Sequence, residues 1–351
     1  MAHQSLYRAY RPQSFDEVAG QEQVTRPLAE AVAAGKVGHA YLFAGSRGLG
    51  KTTVARILAR EVGCTEQDLY EVDAASNNSV EDIRTLTEGV YTLPFESPYK
   101  VYILDEVHML SKSAWNAFLK TLEEPPAHTI FILATTELDR VPETVQSRCQ
   151  VFEFKKPSRQ GLTEVTKVVA KKEGFTLESD AAELIALLAE GSYRDALSVL
   201  QKVLASSPDP STALGTGKKL TREEVEKVTG APRREQVDAL VAALAAGERG
   251  AALAAVEGAA KGGADMSLYL ALVLAALRST LLIRYAPELR NSLKEELGAD
   301  EFAVLEKYVG STRPNITHRT LLAFLEASER IRYAPIPALP LELAICELFS
   351  E

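Results

Sequence analysis

The spacing of apolar residues divides the chain into two parts. Up to about residue 156, short apolar runs alternate with segments whose apolar residues recur at helical spacing. Strands that alternate with helices are typical of a parallel α/β sheet. We expect each strand to be buried on both faces, as parallel strands usually are. The predicted strands are residues 40–45, 70–74, 100–106, 129–136 and 151–154.

From Pro157 the strand pattern ends and the remainder of the chain has helical periodicity. Residues 206–217, which are rich in Pro, Ser and Gly, predict a linker. Thr221, with Glu224 three residues later, predicts a capping box at the start of a new helix.

The predicted organisation is therefore α/β followed by all-α, in three domains. These are a parallel-sheet core over 1–156, a small helical unit over 157–207 and a helical domain over 218–351. One larger helical domain from residue 157 onward is the alternative.

Composition places the protein in a broad class. Of its 351 residues, 46% are apolar and 25% are charged, as in ordinary soluble globular proteins. The N-terminus has no apolar core of a secretion signal, and no apolar run suggests a membrane span. We expect a cytoplasmic protein that does not bind membranes. The net charge of −9 argues against coating DNA by charge alone, but it permits local phosphate contacts.

The three cysteines, Cys64, Cys149 and Cys346, are widely separated. They predict no disulfide framework, and no CxxC pair suggests zinc.

The strongest motif is GSRGLGKT, residues 45–52, which follows a predicted strand and opens a predicted helix. It matches the P-loop pattern, whose glycines let backbone N–H groups face a phosphate at a helix N-terminus. Lys51 is expected to reach the β- and γ-phosphates, and the Thr52 hydroxyl to bind Mg²⁺. A Gly-rich turn with an incidental lysine is the alternative. The predicted nucleotide-binding residues here are Gly45, Ser46, Arg47, Gly48, Leu49, Gly50, Lys51, Thr52 and Thr53.

A second motif, VYILDEVH at residues 101–108, ends a buried strand with two carboxylates. Buried charge is costly unless something compensates it. Asp105 is expected to hold Mg²⁺, directly or through water, and Glu106 to activate the attacking water. The alternative is a helix cap and surface charge. For His108 we expect a structural role, or modulation of Glu106.

Two further features are weak without context. Thr135 and Thr136 end another predicted strand, where threonine also suits β-structure. Arg148 precedes the last strand and Arg194 lies near the start of a helix. Exposed arginines are usually solvated.

Together these segments resemble AAA+ ATPases and, more narrowly, the tau/gamma subunits of bacterial DNA polymerase III. The matching segments lie between residues 7 and 202, and beyond them the match weakens to helical pattern. They include YRAYRPQSFDEVAGQE, EVDAASNNSVEDIR, KVYILDEVHMLSKSAWNAFLKTLEEPP, FILATTELDRVPETVQSRCQVFEF and GSYRDALSVLQ.

The resemblance implies an AAA+ P-loop core, a helical lid and a C-terminal helical collar that oligomerises. It also implies roles for single residues. Tyr10, Arg11, Pro12 and Val18 resemble the segment that packs on adenine. Thr136 resembles the sensor-1 residue, Arg148 the arginine finger that acts in trans, and Arg194 the sensor-2 residue of the lid.

The implied activity is DNA-stimulated, Mg²⁺-dependent ATP hydrolysis within the DNA polymerase III holoenzyme, used to load the sliding clamp. The implied partners are delta- and delta-prime-type subunits, further copies of the chain, the sliding clamp and primer-template DNA. Residues 76–84 are a candidate DNA contact. Two alternatives stay open: a non-hydrolysing stator subunit, and an AAA+ motor of another DNA process. The intact P-loop argues against the stator.

Two departures from the family pattern stand out. The four-cysteine zinc module that such subunits typically carry is missing after Cys64, so we predict no zinc site. The sequence also stops where longer relatives continue into domains that bind polymerase and helicase, so a gamma-like form or a fragment is expected.

Overall fold

The computed structural model describes residues 4–206, 218–297, 299–309 and 315–350. These residues belong to two compact units, Met1–Gln201 and Lys202–Glu351. Apart from Ser206, which ends a helix, the predicted linker lies outside the described residues. The boundaries of the three predicted domains stay a prediction.

Within the described residues of the first unit, five parallel strands form one sheet in the order β2-β3-β4-β1-β5. This confirms the predicted parallel α/β core. The strands are β1 Ala40–Ala44, β2 Leu69–Asp73, β3 Lys100–Asp105, β4 Thr129–Thr135 and β5 Gln150–Glu153.

Burial on both faces holds for the three central strands but is wrong for the two at the edges. Nearly every residue of β1, β3 and β4 is buried, whereas β2 and β5 are exposed or half-buried throughout. An edge strand has a neighbour on one side only, so water reaches more of it.

Helices cover both faces of this sheet. Alternate residues of a strand point to opposite faces. Tyr41 and Phe43 therefore enter one core cluster with the P-loop helix, and Leu42 enters the other with Trp115 and Phe118. The helices of the first unit are α1 Leu6–Ala9, α2 Glu22–Ala33, α3 Lys51–Glu61, α4 Val80–Val90, α5 Lys112–Glu123, α6 Glu143–Gln146, α7 Arg159–Lys172, α8 Ser179–Leu188 and α9 Tyr193–Ser206, whose residues from Lys202 onward belong to the second unit.

The expectation that strands end at Pro157 is wrong in detail. A short strand, β6 Phe175–Leu177, lies between α7 and α8, and another, β7 Lys218–Leu220, is the first element after residues 207–217. Three residues are too few to establish an alternating pattern within the windows that reveal periodicity.

The rest of the described second unit is helical, as predicted. The capping box is confirmed: the Glu224 amide donates to Thr221 Oγ1, and the Thr221 amide donates to Glu224 Oε2. The helices are α10 Arg222–Thr229, α11 Arg234–Ala246, α12 Arg249–Lys261, α13 Met266–Tyr285, α14 Arg290–Leu297, α15 Ala299–Val309, α16 His318–Ile331 and α17 Leu339–Leu348.

Helix α13 is the core helix of this unit. Tyr269, Val273 and Leu277 are fully buried along it. Among the described residues it is the one helix whose length and apolar composition would allow a membrane crossing, and 56% of that window is buried inside the protein.

The sheet order has a direct consequence for chemistry. Strands β3, β4 and β1 are neighbours and run in the same direction. Their carboxyl ends therefore meet at one edge, where ligands bind in open α/β sheets. The predicted P-loop, the Asp105–Glu106 pair and Thr136 all follow these strands.

Candidate nucleotide-binding and hydrolysis site

The P-loop connects β1 to α3, and its glycines have backbone angles that other residues rarely adopt. Gly48 has φ 79° and Gly50, which caps α3, has φ 97°. A Cβ at Gly48 would lie 2.0 Å from Ser192 Oγ, whereas a Cβ at Gly50 would meet nothing within 4 Å. Gly50 therefore borders open space at the N-terminus of α3, where backbone N–H groups and the helix dipole favour an anion.

Lys51 is buried, with 5% of its surface exposed, and its ammonium lies under the loop. Its Nζ donates to the carbonyl oxygens of Gly45, at 2.6 Å, and Ser46, at 2.9 Å. Burial lowers the pKa of Lys51, against the opposing effect of the Glu106 and Asp105 carboxylates. A phosphate at the loop would give this ammonium a charged partner.

Thr52 and Asp105 meet between the P-loop helix and β3. Thr52 Oγ1 donates to Asp105 Oδ2 at 2.8 Å, and the Glu106 amide donates to Asp105 Oδ1 at 3.0 Å. Among the described residues, no group of three or more His, Cys, Asp or Glu side chains is placed to hold a metal ion. A hydroxyl and a carboxylate do fit Mg²⁺, which takes few protein ligands and completes its shell with phosphate and water oxygens.

Glu106 has a backbone conformation that is rare for its residue type. Its φ of 52° and ψ of 44° place it in the left-handed region, directly after β3. Thr136 Oγ1 donates to Glu106 Oε2 at 2.9 Å. The predicted sensor and the predicted water-activating carboxylate are therefore in direct contact, although 30 residues separate them.

The lid helix α9 reaches the P-loop at its first residues. The Tyr193 amide donates to the Gly48 carbonyl at 3.2 Å, and Ser192 lies against Gly48. The Arg194 guanidinium lies 4.9 Å from the centre of the Tyr7 ring, a cation–π contact. Arg194 thus lies beside the P-loop of its own chain.

The predicted adenine-side residues lie along the N-terminal segment. Arg11 Nε donates to Thr53 Oγ1 at 3.0 Å, in the first turn of α3. Tyr10 donates its hydroxyl to Glu173 Oε1 at 2.5 Å, and burial with this carboxylate raises the pKa of Tyr10 to about 12. Pro12 is half-buried, and Val18 packs against the core cluster that contains α3.

Arg148 is not brought to this site. It lies in the turn between α6 and the amino end of β5, whereas the P-loop follows the carboxyl end of the parallel strand β1. Its guanidinium forms an ion pair with Glu123 at the end of α5 and donates to the Thr144 carbonyl.

Sequence reasoning missed the residues that join segments distant along the chain. Gln21 is fully buried and bonds both backbone groups of Lys155, at 2.7 and 3.2 Å. Ser192 lies against Gly48 of the P-loop, and the Tyr7 ring contacts the Arg194 guanidinium. An aromatic at residue 7 and a serine at residue 192 are ordinary residues, so no sequence signal marks their partners.

Fold and site together define a P-loop ATPase fold of the AAA+ class. Among solved structures, the RuvB Holliday junction branch migration motor of Thermotoga maritima aligns with 93% of this chain and 99% of its own, with a TM-score of 0.53 and 22% identity. An R170A variant of the same protein gives a TM-score of 0.54. This likeness concerns the fold.

Family models identify the particular branch of that class. The model for the DNA polymerase III delta subunit matches residues 20–79 and 67–158. The model for the clamp loader ATPase lid domain matches 162–208, and the model for domain III of the gamma and tau subunits matches 220–350.

Curated relatives agree with these models. The tau subunit of DNA polymerase III from Bacillus subtilis is 38% identical over 86% of this chain, and that from Escherichia coli 35% over 98%. The chain belongs to the tau/gamma family of DNA polymerase III subunits. It spans about half the length of these relatives, 55% of each.

Proposed function

We propose that this chain is an ATP-hydrolysing motor subunit of the bacterial replicative clamp loader. It would use ATP binding and hydrolysis to load a sliding clamp onto primed DNA. The observation that carries the proposal is the 2.8 Å contact between Thr52 and Asp105, with Lys51 and Glu106 beside it. A subunit without hydrolysis has no need for this complete set.

Binding would centre on the P-loop. Lys51 makes two hydrogen bonds to loop carbonyls, and an ammonium has three N–H donors. It can therefore turn toward the β- and γ-phosphates of ATP. Thr52 and Asp105 would hold Mg²⁺, which neutralises charge that develops on the phosphates during hydrolysis.

Hydrolysis would depend on Glu106. Its carboxylate is the proposed group that orients the attacking water and accepts its proton, while Thr136 fixes the carboxylate through the 2.9 Å hydrogen bond. The position of Thr136 beside Glu106 supports its proposed sensor role.

The two arginines would act from different chains. Arg194 lies by the P-loop on its own lid, which suits contact with the γ-phosphate of the chain's own ATP. Arg148 lies at the opposite edge of the sheet, which suits a role on ATP held by a neighbouring subunit. Its proposed partners are delta- and delta-prime-type subunits and further copies of this chain.

The test is steady-state ATP hydrolysis with Mg²⁺, measured for the chain alone and then with partner loader subunits, clamp and primed DNA. Low turnover alone that rises sharply in the full mixture is expected. Binding of ATP without hydrolysis in the full mixture would move the stator alternative ahead. DNA unwinding by the isolated chain would favour a motor of another DNA process.

Arg148→Ala sharpens this test. We expect it to keep ATP binding and lose hydrolysis in the assembled complex. Arg26→Ala is a matched control, since Arg26 also forms an exposed ion pair with a glutamate, Glu30. Wild-type turnover by Arg148→Ala would refute the role in trans.

A further inference from the structure

A buried histidine lies behind the catalytic carboxylate. The His108 side chain is 6% exposed and lies between two carboxylates. Its Nδ1 is 3.5 Å from Glu106 Oε2, and its Nε2 is 3.4 Å from Glu137 Oε1. We propose that His108 is a positioning residue that holds Glu106 in the orientation needed for hydrolysis. This inference rests on the hydrolytic function proposed above.

The hydrogen bonds around Thr135 are best satisfied when His108 Nδ1 acts as a donor. Thr135 Oγ1 donates its single proton to the Glu137 carbonyl at 3.1 Å, and it accepts the Glu137 amide at 3.0 Å. His108 Nδ1 lies 3.1 Å from the same oxygen. With the hydroxyl proton on the Glu137 carbonyl, Nδ1–H is the donor to Thr135 Oγ1.

That N–H points between two acceptors. It bonds Thr135 Oγ1 and lies close enough to Glu106 Oε2 to attract it electrostatically. Glu106 Oε2 is thus held from two directions, by the Thr136 hydroxyl and by His108. Thr136 directly follows β4, and His108 contacts Thr135, the last residue of the same strand.

Glu137 borders the far side of the ring. Its Oε1 lies 3.4 Å from His108 Nε2, a contact that becomes an ion pair only when Nε2 also carries a proton. Glu137 also forms an ion pair with Arg140, whose Nε lies 3.0 Å from Glu137 Oε2. The imidazole therefore lies in a row of charged side chains that runs from Arg140 through Glu137 to Glu106.

Glu106 needs this support because its backbone is unfavourable and its side chain is partly exposed. A left-handed conformation is disfavoured for a residue with a Cβ. The Glu106 side chain is 31% exposed, so without lateral contacts it can adopt other rotamers. Displacement of the Glu106 carboxylate would leave the ATP affinity of the protein unchanged. The attacking water would be aligned for hydrolysis less often.

The experiment uses the loader complex with clamp and primed DNA, and compares His108→Phe, His108→Asn and His108→Gln. Phe keeps the ring and removes both nitrogens. Asn places an N–H near the position of Nδ1, and Gln places one near Nε2. His128→Phe is a matched control, because His128 contacts the Val90 and Thr92 carbonyls, away from the site.

We expect His108→Phe to lower kcat about tenfold, which corresponds to about 1.4 kcal/mol, with KM and ATP affinity unchanged. Asn should restore most of kcat, and Gln should not. In a Glu106→Gln background, His108→Phe should have no further effect. Equal rates for Phe and Asn, additive losses, or a raised kcat would overturn the inference.

Measurements on the wild-type complex distinguish a failure of this inference from a failure of the proposed function. If the wild-type complex does not hydrolyse ATP, the proposed function fails and takes the role of His108 with it. If the wild type hydrolyses ATP, Glu106→Gln does not, and His108→Phe matches the wild type, the inference alone fails. Should the Phe variant not fold, the difference between Asn and Gln decides.

Discussion

Two buried lysines lie at opposite edges of the same sheet, and they differ in the partners of their ammonium groups. Lys51 follows the carboxyl end of β1 and Lys100 begins β3; they are 5% and 4% exposed. Lys100 Nζ has three acceptors, the carbonyls of Gly89 and Thr92 and the Thr92 hydroxyl. Lys51 has two, both on a loop whose glycines border open space.

The carboxylates at the two edges differ in the same way. At the amino edge, Asp68 accepts the amides of Phe95, Glu96 and Ser97. Burial would raise the pKa of Asp68, but these hydrogen bonds outweigh it and lower the pKa to about 2. At the carboxyl edge, Asp105 Oδ2 accepts a hydrogen bond from the Thr52 hydroxyl. Mg²⁺ bound by both side chains would replace this hydrogen bond.

The comparison shows that burial of a charge does not identify a functional residue. A buried charge whose partners are fixed backbone groups stabilises the fold. A buried charge whose partners can exchange for a ligand is available for chemistry. Substitutions at the two edges of the sheet test this distinction.

Glu106→Gln should lower ATP turnover in the loader complex about 10²–10⁴-fold, the range for a positioned general base. The amide still accepts the Thr136 hydroxyl, so ATP affinity and stability should stay near wild type. Turnover and nucleotide binding measured together check this. Glu88→Gln, on the exposed face of α4, is the control, and substantial turnover by Glu106→Gln would exclude the proposed role.

The two lysines should give opposite results when each is replaced by methionine. Lys51→Met should weaken ATP binding about 10–100-fold, since hydrogen bonds to charged groups contribute about 1.5–3 kcal/mol. It should not lower stability, because it removes a buried ammonium. Lys100→Met should leave ATP affinity unchanged and lower the free energy of unfolding by about 1–3 kcal/mol.

Calorimetric ATP titration and urea unfolding of both variants check this prediction. The same pattern of losses in the two variants would contradict the distinction between the edges.

The sequence predicts which residues meet at the carboxyl edge of the sheet. It does not predict which residues meet at the amino edge. Lys51 with Thr52, and Asp105 with Glu106, are neighbours in the chain, so each pair is visible as a motif. Strand periodicity also predicts that these motifs follow parallel strands, whose carboxyl ends share one edge.

The amino edge depends on contacts over longer separations. Asp68 bonds amides 27 to 29 residues away, and nothing in the pattern of residues 91–98 marks them as its partners. Strand order is also not local, so the exposure of β2 and β5 could not be predicted. For the same reason His108 could be singled out by its motif, while its contacts with Thr135 and Glu137 could not.

Asp68→Asn should destabilise the protein in a pH-dependent way. The folded pKa of about 2 lies below the ordinary 3.8, so the stabilisation by the carboxylate is fully present above about pH 4. It is lost as the pH falls from about 4 to about 2. At about pH 7 the substitution should cost about 1–3 kcal/mol.

Urea unfolding at about pH 7 and about pH 2.5 should show the difference between wild type and Asp68→Asn narrowing in acid. Asp139→Asn, an exposed carboxylate, is the control. A difference that stays constant with pH would mean that the loop amides do not hold Asp68 ionised.

The smallest predicted effect concerns two glycines that both have a positive φ. Gly35 and Gly50 have φ 62° and 97°, and a Cβ at either would meet nothing within 4 Å. Alanine at either position should therefore cost about 1–2 kcal/mol of stability from backbone strain. At Gly35, which follows α2, we expect no other consequence.

At Gly50 the added methyl would occupy the space over the N-terminus of α3, where the phosphates are proposed to bind. Gly50→Ala should therefore also weaken ATP binding several-fold, measured by calorimetric titration beside Gly35→Ala. Because both variants strain a positive-φ position and neither methyl meets a neighbour, a difference in ATP affinity between them reports on what enters that space. Equal ATP affinities would mean that the phosphates do not approach Gly50, and the proposed binding mode would have to move away from this loop.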